Sequence, residues 1–138
     1  MTEDQKKIMD HINAKNKFLE ASQMRVVEIS DGYARVECFP DENAHNMFHF
    51  VHGGVIFSLA DTAAGAASQS SGRSSVTLSS SIDFIRPCRT GKMVAEAHEV
   101  SSGRSTGVYD VQVFDGEGKL LSKALFSMFF VEANGYHQ

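Results

Sequence analysis

Tryptophan is absent from the sequence, proline and cysteine occur twice each, and no apolar run is long. A membrane-spanning helix needs about 18 consecutive apolar residues, and no stretch of the chain provides them. Basic residues are also outnumbered, with 13 Lys and Arg against 17 Asp and Glu and a net charge of −4. Non-specific nucleic-acid binding requires a clustered basic surface, which this composition does not provide. We therefore expect neither a membrane nor a nucleic acid as a partner.

The two cysteines, Cys38 and Cys88, are too few for a disulfide framework and are expected to be reduced thiols. A chain of 138 residues can bury enough apolar surface to fold without such cross-links. Its first residues, MTEDQKKIMDHINAKNKF, lack the apolar run of a secretion signal. These features predict a single domain over residues 1–138 and a cytoplasmic location.

The first half of the chain contains several periodic segments. Residues 4–20 have apolar side chains at helical spacing, which predicts an amphipathic N-terminal helix. Asp31 and Gly32 separate two alternating segments, MRVVEIS and YARVECF, and this dipeptide favours the tight turn of a β-hairpin. Residues 40–52 have no clear period and are predicted to be a loop that can contain a short helical turn.

Four more strands are predicted in the second half. Their alternation runs through SVTLSSSIDFIRP, KMVAEAHEV, STGVYDVQVFD and KLLSKALFSMFFVE. Pro87 ends the first of them, residues 102–104 form a turn, and the DGEG at 115–118 joins the last two. Because tight turns join antiparallel strands, the sheet is expected to be antiparallel.

Between the hairpin and these strands lies FVHGGVIFSLADTAAGAA, residues 50–67. On a helical wheel it has one broad apolar arc, so this helix is expected to be covered on most sides. Asp61 borders the arc, although aspartate is a poor residue for a helix interior and is costly to desolvate. Function is one reason for such a local conflict, and a capping or surface acid is the alternative. One long buried helix against an antiparallel sheet gives an α+β architecture with the sheet wrapped around the helix.

The segment HGGVIFSLADTAAGAA resembles the central-helix motif of hotdog-fold acyl-CoA thioesterases, in particular the phenylacetate-pathway, PaaI-like branch. DGYARV, SIDFIRP and TGVYDV follow in the order expected of that family, so the resemblance covers nearly the whole chain. It implies a hotdog fold that hydrolyses acyl-CoA without a metal or another cofactor. It also implies active sites at a dimer interface, in homodimers that often pair into homotetramers.

Thioester hydrolysis needs a donor for the carbonyl oxygen and a base or nucleophile for the carbonyl carbon. The N–H groups at a helix N-terminus are unpaired, and Gly53 has no side chain to block access to its own N–H. Gly54 permits a tight turn beside it and is a candidate substrate contact. Taken alone, the Gly-Gly pair is equally explained by a sharp turn into the helix. Asp61 is the candidate general base, or else the nucleophile.

Three further site residues are implied by the resemblance. Asn46 matches an asparagine that helps hold the attacking water, or else it is a loop amide that makes turn hydrogen bonds. His52 matches a position that supports the substrate or the loop, or else it makes a structural hydrogen bond near the helix start. Ser79 matches a hydroxyl that orients the carboxylate. Other hydroxyls nearby are those of Thr77, Ser80 and Ser81.

The remaining candidates concern the substrate. Phe57 lies one helical turn before Asp61, so it shares a face with the carboxylate, and Thr62 follows the carboxylate directly. Aromatic walls favour flat rings, although such side chains serve a core equally well. Other candidates for an aryl or medium-chain pocket are Met47, Phe48 and Phe50. Arginines near strand ends, Arg86 and Arg104 with Arg89, can meet the CoA phosphates or remain solvated surface residues.

The spacing of the two main candidates predicts a dimer. Gly53 and Asp61 are eight residues apart, which is about 12 Å along one helix. One thioester carbonyl cannot touch both within a single chain. Antiparallel helices across a two-fold axis would bring Gly53 of one chain near Asp61 of the other, and this arrangement gives two shared sites.

Alternative functions have weaker support in the sequence. A non-catalytic acyl-CoA-binding or sensor protein of the same fold would have little use for Asp61, and it would usually carry a DNA-binding segment. A hotdog dehydratase or hydratase would place a catalytic histidine in a different motif, which is not found. His45, His49 and His52 have a spacing that suits one helical turn, but they lack the ligand signatures of zinc sites, so no metal is expected.

Overall fold

The computed structural model describes residues 1–89 and 91–131. Helix α1 spans Glu3–Lys15 and begins with a capping box between Thr2 and Gln5, whose side chains each accept from the other residue's backbone N–H. A second short helix, α2, spans Lys17–Ala21. The predicted N-terminal helix is therefore present but interrupted at Asn16, whose side-chain amide bonds back to the Ile12 carbonyl.

Six antiparallel strands form a single sheet in the order β1-β2-β4-β5-β6-β3. Their bounds are Met24–Ser30, Tyr33–Cys38, Ser74–Phe84, Met93–Ser102, Thr106–Asp115 and Leu120–Val131 for β1 to β6. Each predicted strand is confirmed within a few residues, while Glu132, the expected last residue of β6, lies outside the described residues. The turn between β1 and β2 depends on Gly32, which has φ +68° and leaves no room for a side chain beside Glu99.

The central helix, α3, spans Gly53–Ser68 and packs its apolar side on β2, β4 and β5. Small residues dominate the contact, so the helix backbone lies close to the sheet. Its fully buried side chains are Leu59, Ala60, Ala63 and Ala64. The opposite side is left open by residues 1–89 and 91–131, because Asp61, Thr62 and Gly65 are only half-buried. The prediction that α3 is covered on most sides is therefore confirmed only for the side that faces the sheet.

Strand β3 is an edge strand whose outer edge has no neighbour among the described residues. It also carries a β-bulge between Thr77 and Ser79, where its pairing with β6 shifts by one residue. Large apolar side chains are exposed on it, those of Val76 and Leu78, and on the neighbouring strand β6, those of Leu125 and Phe129. A long apolar edge of this kind is a ready template for pairing with another chain.

Candidate active site

The two glycines at the start of α3 have different roles. His52 is the N-cap residue, and its Nδ1 accepts a hydrogen bond of 2.9 Å from the Gly54 N–H. A Cβ on Gly54 would lie 3.1 Å from that Nδ1, so a side chain there would require the His52 ring to shift. The Gly53 N–H, in contrast, has no acceptor among the residues that the structure describes. One donor at the positive end of the helix is therefore occupied, and the other is open.

Gly53 also has a close aromatic neighbour at the far end of β3. A Cβ built on Gly53 would lie 3.4 Å from Cε1 of Phe84. The Phe84 side chain is 54% exposed, so this ring marks one wall of an accessible approach to the N–H.

Asp61 lies in the middle of α3 on its uncovered side. The Thr77 hydroxyl donates to Asp61 Oδ1 over 2.5 Å, which fixes one carboxylate oxygen and leaves the other free to act. The hydroxyl that reaches Asp61 is therefore Thr77, and not Ser79 as the resemblance implied. Ser79 is exposed and pairs with Ser127, because the bulge turns it to the opposite face of the strand from Thr77.

A cavity of about 810 Å³ opens beside Asp61 between α1, α3 and β3. Its volume suits a ligand of acyl-group size or larger. Phe57 and Thr62 both line the cavity. The Phe57 ring also packs on Phe126, with 5.6 Å between the ring centroids. The Thr62 hydroxyl donates to the Ser58 carbonyl of its own helix. Sequence reasoning missed the contribution of α1, from which His11 and Lys15 reach the same cavity, because residue spacing does not reveal where a separate helix docks.

Asn46 occupies the loop that leads into α3. Its Oδ1 accepts from the N–H groups of Phe48 and Phe50, at 2.9 and 3.2 Å. These are turn hydrogen bonds, the structural alternative stated above, and they leave the Nδ2 of Asn46 as the group that can meet a water or substrate. His49 in the same loop has φ +65°, a conformation that a non-glycine residue rarely adopts.

The three histidines of this region do not converge on one point. His52 caps α3, whereas both ring nitrogens of His45 contact backbone carbonyls. Within residues 1–89 and 91–131, no group of three His, Cys, Asp or Glu side chains is arranged to hold a metal ion.

The candidate phosphate-binding arginines are not brought together within one chain. Arg86 follows β3, and Arg104 lies in the turn before β5, where Arg73 reaches its carbonyl from the residue preceding β3. The length of β3, 11 residues or roughly 35 Å, therefore separates the two. Arg89 lies nearer the α3 start, with its guanidinium 5.0 Å from the centre of the Phe50 ring.

A six-stranded antiparallel sheet around one long helix, with an open N–H at the helix start, defines a protein of the hotdog class. None of the helices among the described residues is both long and apolar enough to cross a lipid bilayer. The model of the Thioesterase superfamily matches residues 48–122, more than half of the chain. The chain belongs to the Thioesterase superfamily and is a thioester hydrolase.

Known proteins resemble this chain in sequence and in structure. The acyl-coenzyme A thioesterase PaaI of Escherichia coli K12 is 34% identical over 98 residues, which cover 70% of each protein. The structure of the E. coli PaaI protein from the phenylacetic acid degradation operon superposes with a TM-score of 0.89 at 26% identity, covering 93% of this chain and 94% of that one. A Streptococcus mutans protein bound to acetyl-CoA superposes with a TM-score of 0.74 at 32% identity, covering 78% and 88%.

Proposed function

We propose that this protein hydrolyses acyl-CoA thioesters to the free acid and CoA, with the Gly53 N–H as oxyanion donor. One observation carries the proposal: of the two glycine N–H groups at the start of α3, His52 occupies that of Gly54 and leaves that of Gly53 open. A preorganised donor at a helix N-terminus stabilises the negative charge that develops on a thioester carbonyl. The acyl-CoA thioesterase PaaI and the acetyl-CoA-bound neighbour support CoA thioesters as the substrate class.

Asp61 supplies the second function, as a general base toward water or as a nucleophile. The Thr77 hydrogen bond holds one oxygen of the carboxylate, and Asp61 lines the cavity. We favour the general base because the Nδ2 of Asn46 can hold a water, although its Oδ1 is engaged in the turn. Thr77 takes the orienting role that the resemblance gave to Ser79.

The proposed site is shared between two chains of a homodimer. Gly53 and Asp61 are about 12 Å apart along α3, too far for one carbonyl to touch both. The free edge of β3 offers a surface for two-fold pairing that would lay two α3 helices side by side. Met47 and Phe48, exposed at 81% and 69%, project from the loop before Gly53 and suit a partner's groove beside Asp61.

The oligomeric state, the location and the CoA-binding arginines are further parts of the proposal. Pairing of dimers into a homotetramer would cover exposed apolar side chains such as those of Leu125 and Phe129. A cytoplasmic location agrees with Cys38 being a buried, reduced thiol. In a shared site, Arg86 and Arg104 can meet CoA only if they come from different chains, since one chain holds them at opposite ends of β3.

The acyl group is proposed to be aromatic in preference to long and aliphatic. Phe57 lines the cavity one turn from Asp61, and Phe84 stands beside the open N–H of Gly53. Flat rings gain from offset and edge contacts with such walls. The opposing interpretation is that these rings serve the core, as the contact of Phe57 with Phe126 illustrates, and that CoA provides most of the binding. In that case acyl preference would be broad.

The test is hydrolysis of phenylacetyl-CoA and of short, medium and long acyl-CoAs by the wild type and by Asp61→Asn. Asp10→Asn, an exposed carboxylate on α1, serves as a matched control. We expect kcat to fall at least about 10³-fold in Asp61→Asn alone, since the amide can neither accept the proton nor attack. Near-normal kcat in that variant would reject the mechanism, and equal kcat/KM for phenylacetyl-CoA and a long-chain substrate would reject only the aromatic preference.

A second experiment tests the shared site. Chains carrying Asp61→Asn are mixed with chains carrying Gly53→Pro, which lacks the N–H. Mixed dimers contain one intact site, so activity should return after subunit exchange. Well-folded mixed dimers without activity would refute the shared site. Binding of acyl-CoA without hydrolysis by the wild type would instead point to a binding or sensor protein.

A further inference from the structure

A second cavity adjoins the large one beside Asp61 and lies at the start of α3. Its volume is about 340 Å³, and its lining includes His52 and Gly54. Phe18 of α2 and Ser58 of α3 line both this second cavity and the cavity of about 810 Å³ (the acyl cavity). The two cavities therefore meet where Phe18 and Ser58 lie.

The direction of the Phe18 side chain follows from its place in α2. The next residue, Leu19, is only 5% exposed and packs in the core. Successive residues of a helix point about 100° apart, so a helix that buries Leu19 turns Phe18 away from the core. Phe18 is accordingly 58% exposed. The interruption at Asn16, whose carbonyl accepts from the Leu19 N–H over 3.1 Å, starts α2 at the point that gives Phe18 this direction.

Helices α1 and α2 run along α3 in the opposite direction. Near the start of α1, Gln5 Nε2 donates to Asp31 Oδ1 over 2.7 Å. The adjacent Gly32 N–H donates to Ser70 Oγ over 2.9 Å, just after the end of α3. Helix α2, in contrast, lines the cavity at the start of α3. The start of α1 is therefore near the end of α3, and α2 is near its beginning.

The two ends of the acyl cavity consequently differ in polarity. The end near the last turn of α3 has polar side chains, those of His11 and Lys15, one turn apart on α1, and that of Gln69. The end near α2 has the rings of Phe18 and Phe57. An apolar acyl group gains from burial against these rings, whereas at the other end it would deprive polar side chains of water. The acyl group is therefore expected at the end where Phe18 lies.

The Phe18 ring is the larger of the two groups at the junction of the cavities. Ser58 is small, and its hydroxyl donates to the Gly54 carbonyl of its own helix over 2.8 Å. We propose that Phe18 is a specificity-determining residue whose ring closes the apolar end of the acyl cavity and limits the length of the acyl group. A compact aromatic acyl group ends before the ring, whereas a long chain has to displace the ring and enter the second cavity. This inference rests on the proposed function, in which Asp61 lies next to the thioester.

The first test compares the acyl-CoA preference of variants at Phe18. Steady-state kcat/KM is measured for phenylacetyl-, butanoyl-, octanoyl- and dodecanoyl-CoA with the wild type, Phe18→Ala and Phe18→Trp. Phe18→Ala opens the way into the second cavity, where each methylene that becomes buried contributes about fourfold. We expect the ratio of kcat/KM for dodecanoyl-CoA to that for phenylacetyl-CoA to rise at least about tenfold in Phe18→Ala. In Phe18→Trp, kcat/KM for octanoyl-CoA should fall.

Phe39→Ala is the matched control. Phe39 is 55% exposed, its ring lies near Lys92, and it is not among the described residues that line either cavity. This variant should keep the wild-type preference, and the same preference in Phe18→Ala would overturn the inference. Sedimentation checks the assembly of each variant. Loss of the wild-type oligomer in Phe18→Ala, with an equal fall in kcat/KM for every substrate, would place the ring in a subunit contact and would also overturn the inference.

The second test needs no hydrolysis. Thioether analogues of phenylacetyl-CoA and dodecanoyl-CoA lack the carbonyl group, and their binding to the wild type and to Phe18→Ala is measured by titration calorimetry. We expect the long-chain analogue to gain at least about tenfold in affinity relative to the aryl analogue in Phe18→Ala. An unchanged ratio would overturn the inference even if the wild type hydrolyses acyl-CoA. The same gain in a protein that hydrolyses none of the substrates would support the length limit and refute the proposed reaction, so the two failures are distinguishable.

Discussion

Replacement of Gly53 by proline tests the proposed oxyanion donor with little disturbance of the fold. Proline removes the N–H and is well tolerated at the first position of a helix, where no intrahelical partner is lost. The preceding residue, His52, has φ −61° and ψ 138°, which a residue before proline readily adopts. Gly53→Ala is the matched control, because it adds the same Cβ, 3.4 Å from the Phe84 ring, and keeps the N–H.

The size of the effect depends on what remains at the helix start. The Gly54 N–H is held by His52 at 2.9 Å, so no second glycine N–H is free to replace the one removed. Loss of a single oxyanion donor typically lowers kcat by about 10²–10³-fold, which corresponds to about 3–4 kcal/mol of transition-state stabilisation. Gly53→Ala should lose far less, since its Cβ makes only a close contact with a half-exposed ring.

Steady-state kinetics of both variants on one acyl-CoA, with melting temperatures as a check of folding, provide the assay. We expect kcat of Gly53→Pro to be at least about 10²-fold below that of Gly53→Ala, with KM little changed, because the donor acts on charge that develops in the transition state. If the two variants have kcat values within about threefold of each other while both are folded, the Gly53 N–H is not the oxyanion donor.

Two other predictions concern single side chains. Thr77→Val removes the hydroxyl that donates to Asp61 at 2.5 Å, so kcat should fall by about 10–100-fold. Thr77→Ser keeps a hydroxyl and should retain most of the activity. Equal kcat values for the two variants would exclude a role of Thr77 in orienting Asp61. Burial raises the pKa of Cys38 to about 11, so at pH near 8 its thiol should resist a thiol reagent until the protein is unfolded. Fast labelling of Cys38 in the native protein would contradict its placement in the core.

Local chemistry made much of the fold predictable. The Asp31-Gly32 dipeptide identified the first hairpin because few residues other than glycine accept the positive φ of this turn. Helical spacing found the N-terminal helix but not its interruption, since periodicity is insensitive to the single residue Asn16, whose amide bonds back to Ile12 and ends α1. The covered side of α3 was predicted by its apolar arc, while the open side could not be inferred from that pattern.

The candidate site was predictable only where adjacent residues determine the geometry. His52, Gly53 and Gly54 follow one another, so the chemistry of a helix start indicated their contacts. The partner of Asp61 comes from a different element, 16 positions away, and its identity depends on strand register. Alternation with a period of two gives Ser79 the same face as Thr77, and the bulge between them breaks that rule.

The bulge in β3 explains how one strand contacts both Asp61 and the start of α3. Thr77 and Phe84 are seven residues apart, so in a regular strand they would face opposite sides of the sheet. The extra residue at Leu78 restores a common face, and as a result Thr77 bonds Asp61 while Phe84 stands against Gly53. Without it, a strand that oriented the carboxylate would turn the Phe84 ring away from the helix start. The bulge, which could not be predicted from the sequence, is therefore the feature that lets β3 contact both the Asp61 carboxylate and the residue with the open N–H, Gly53.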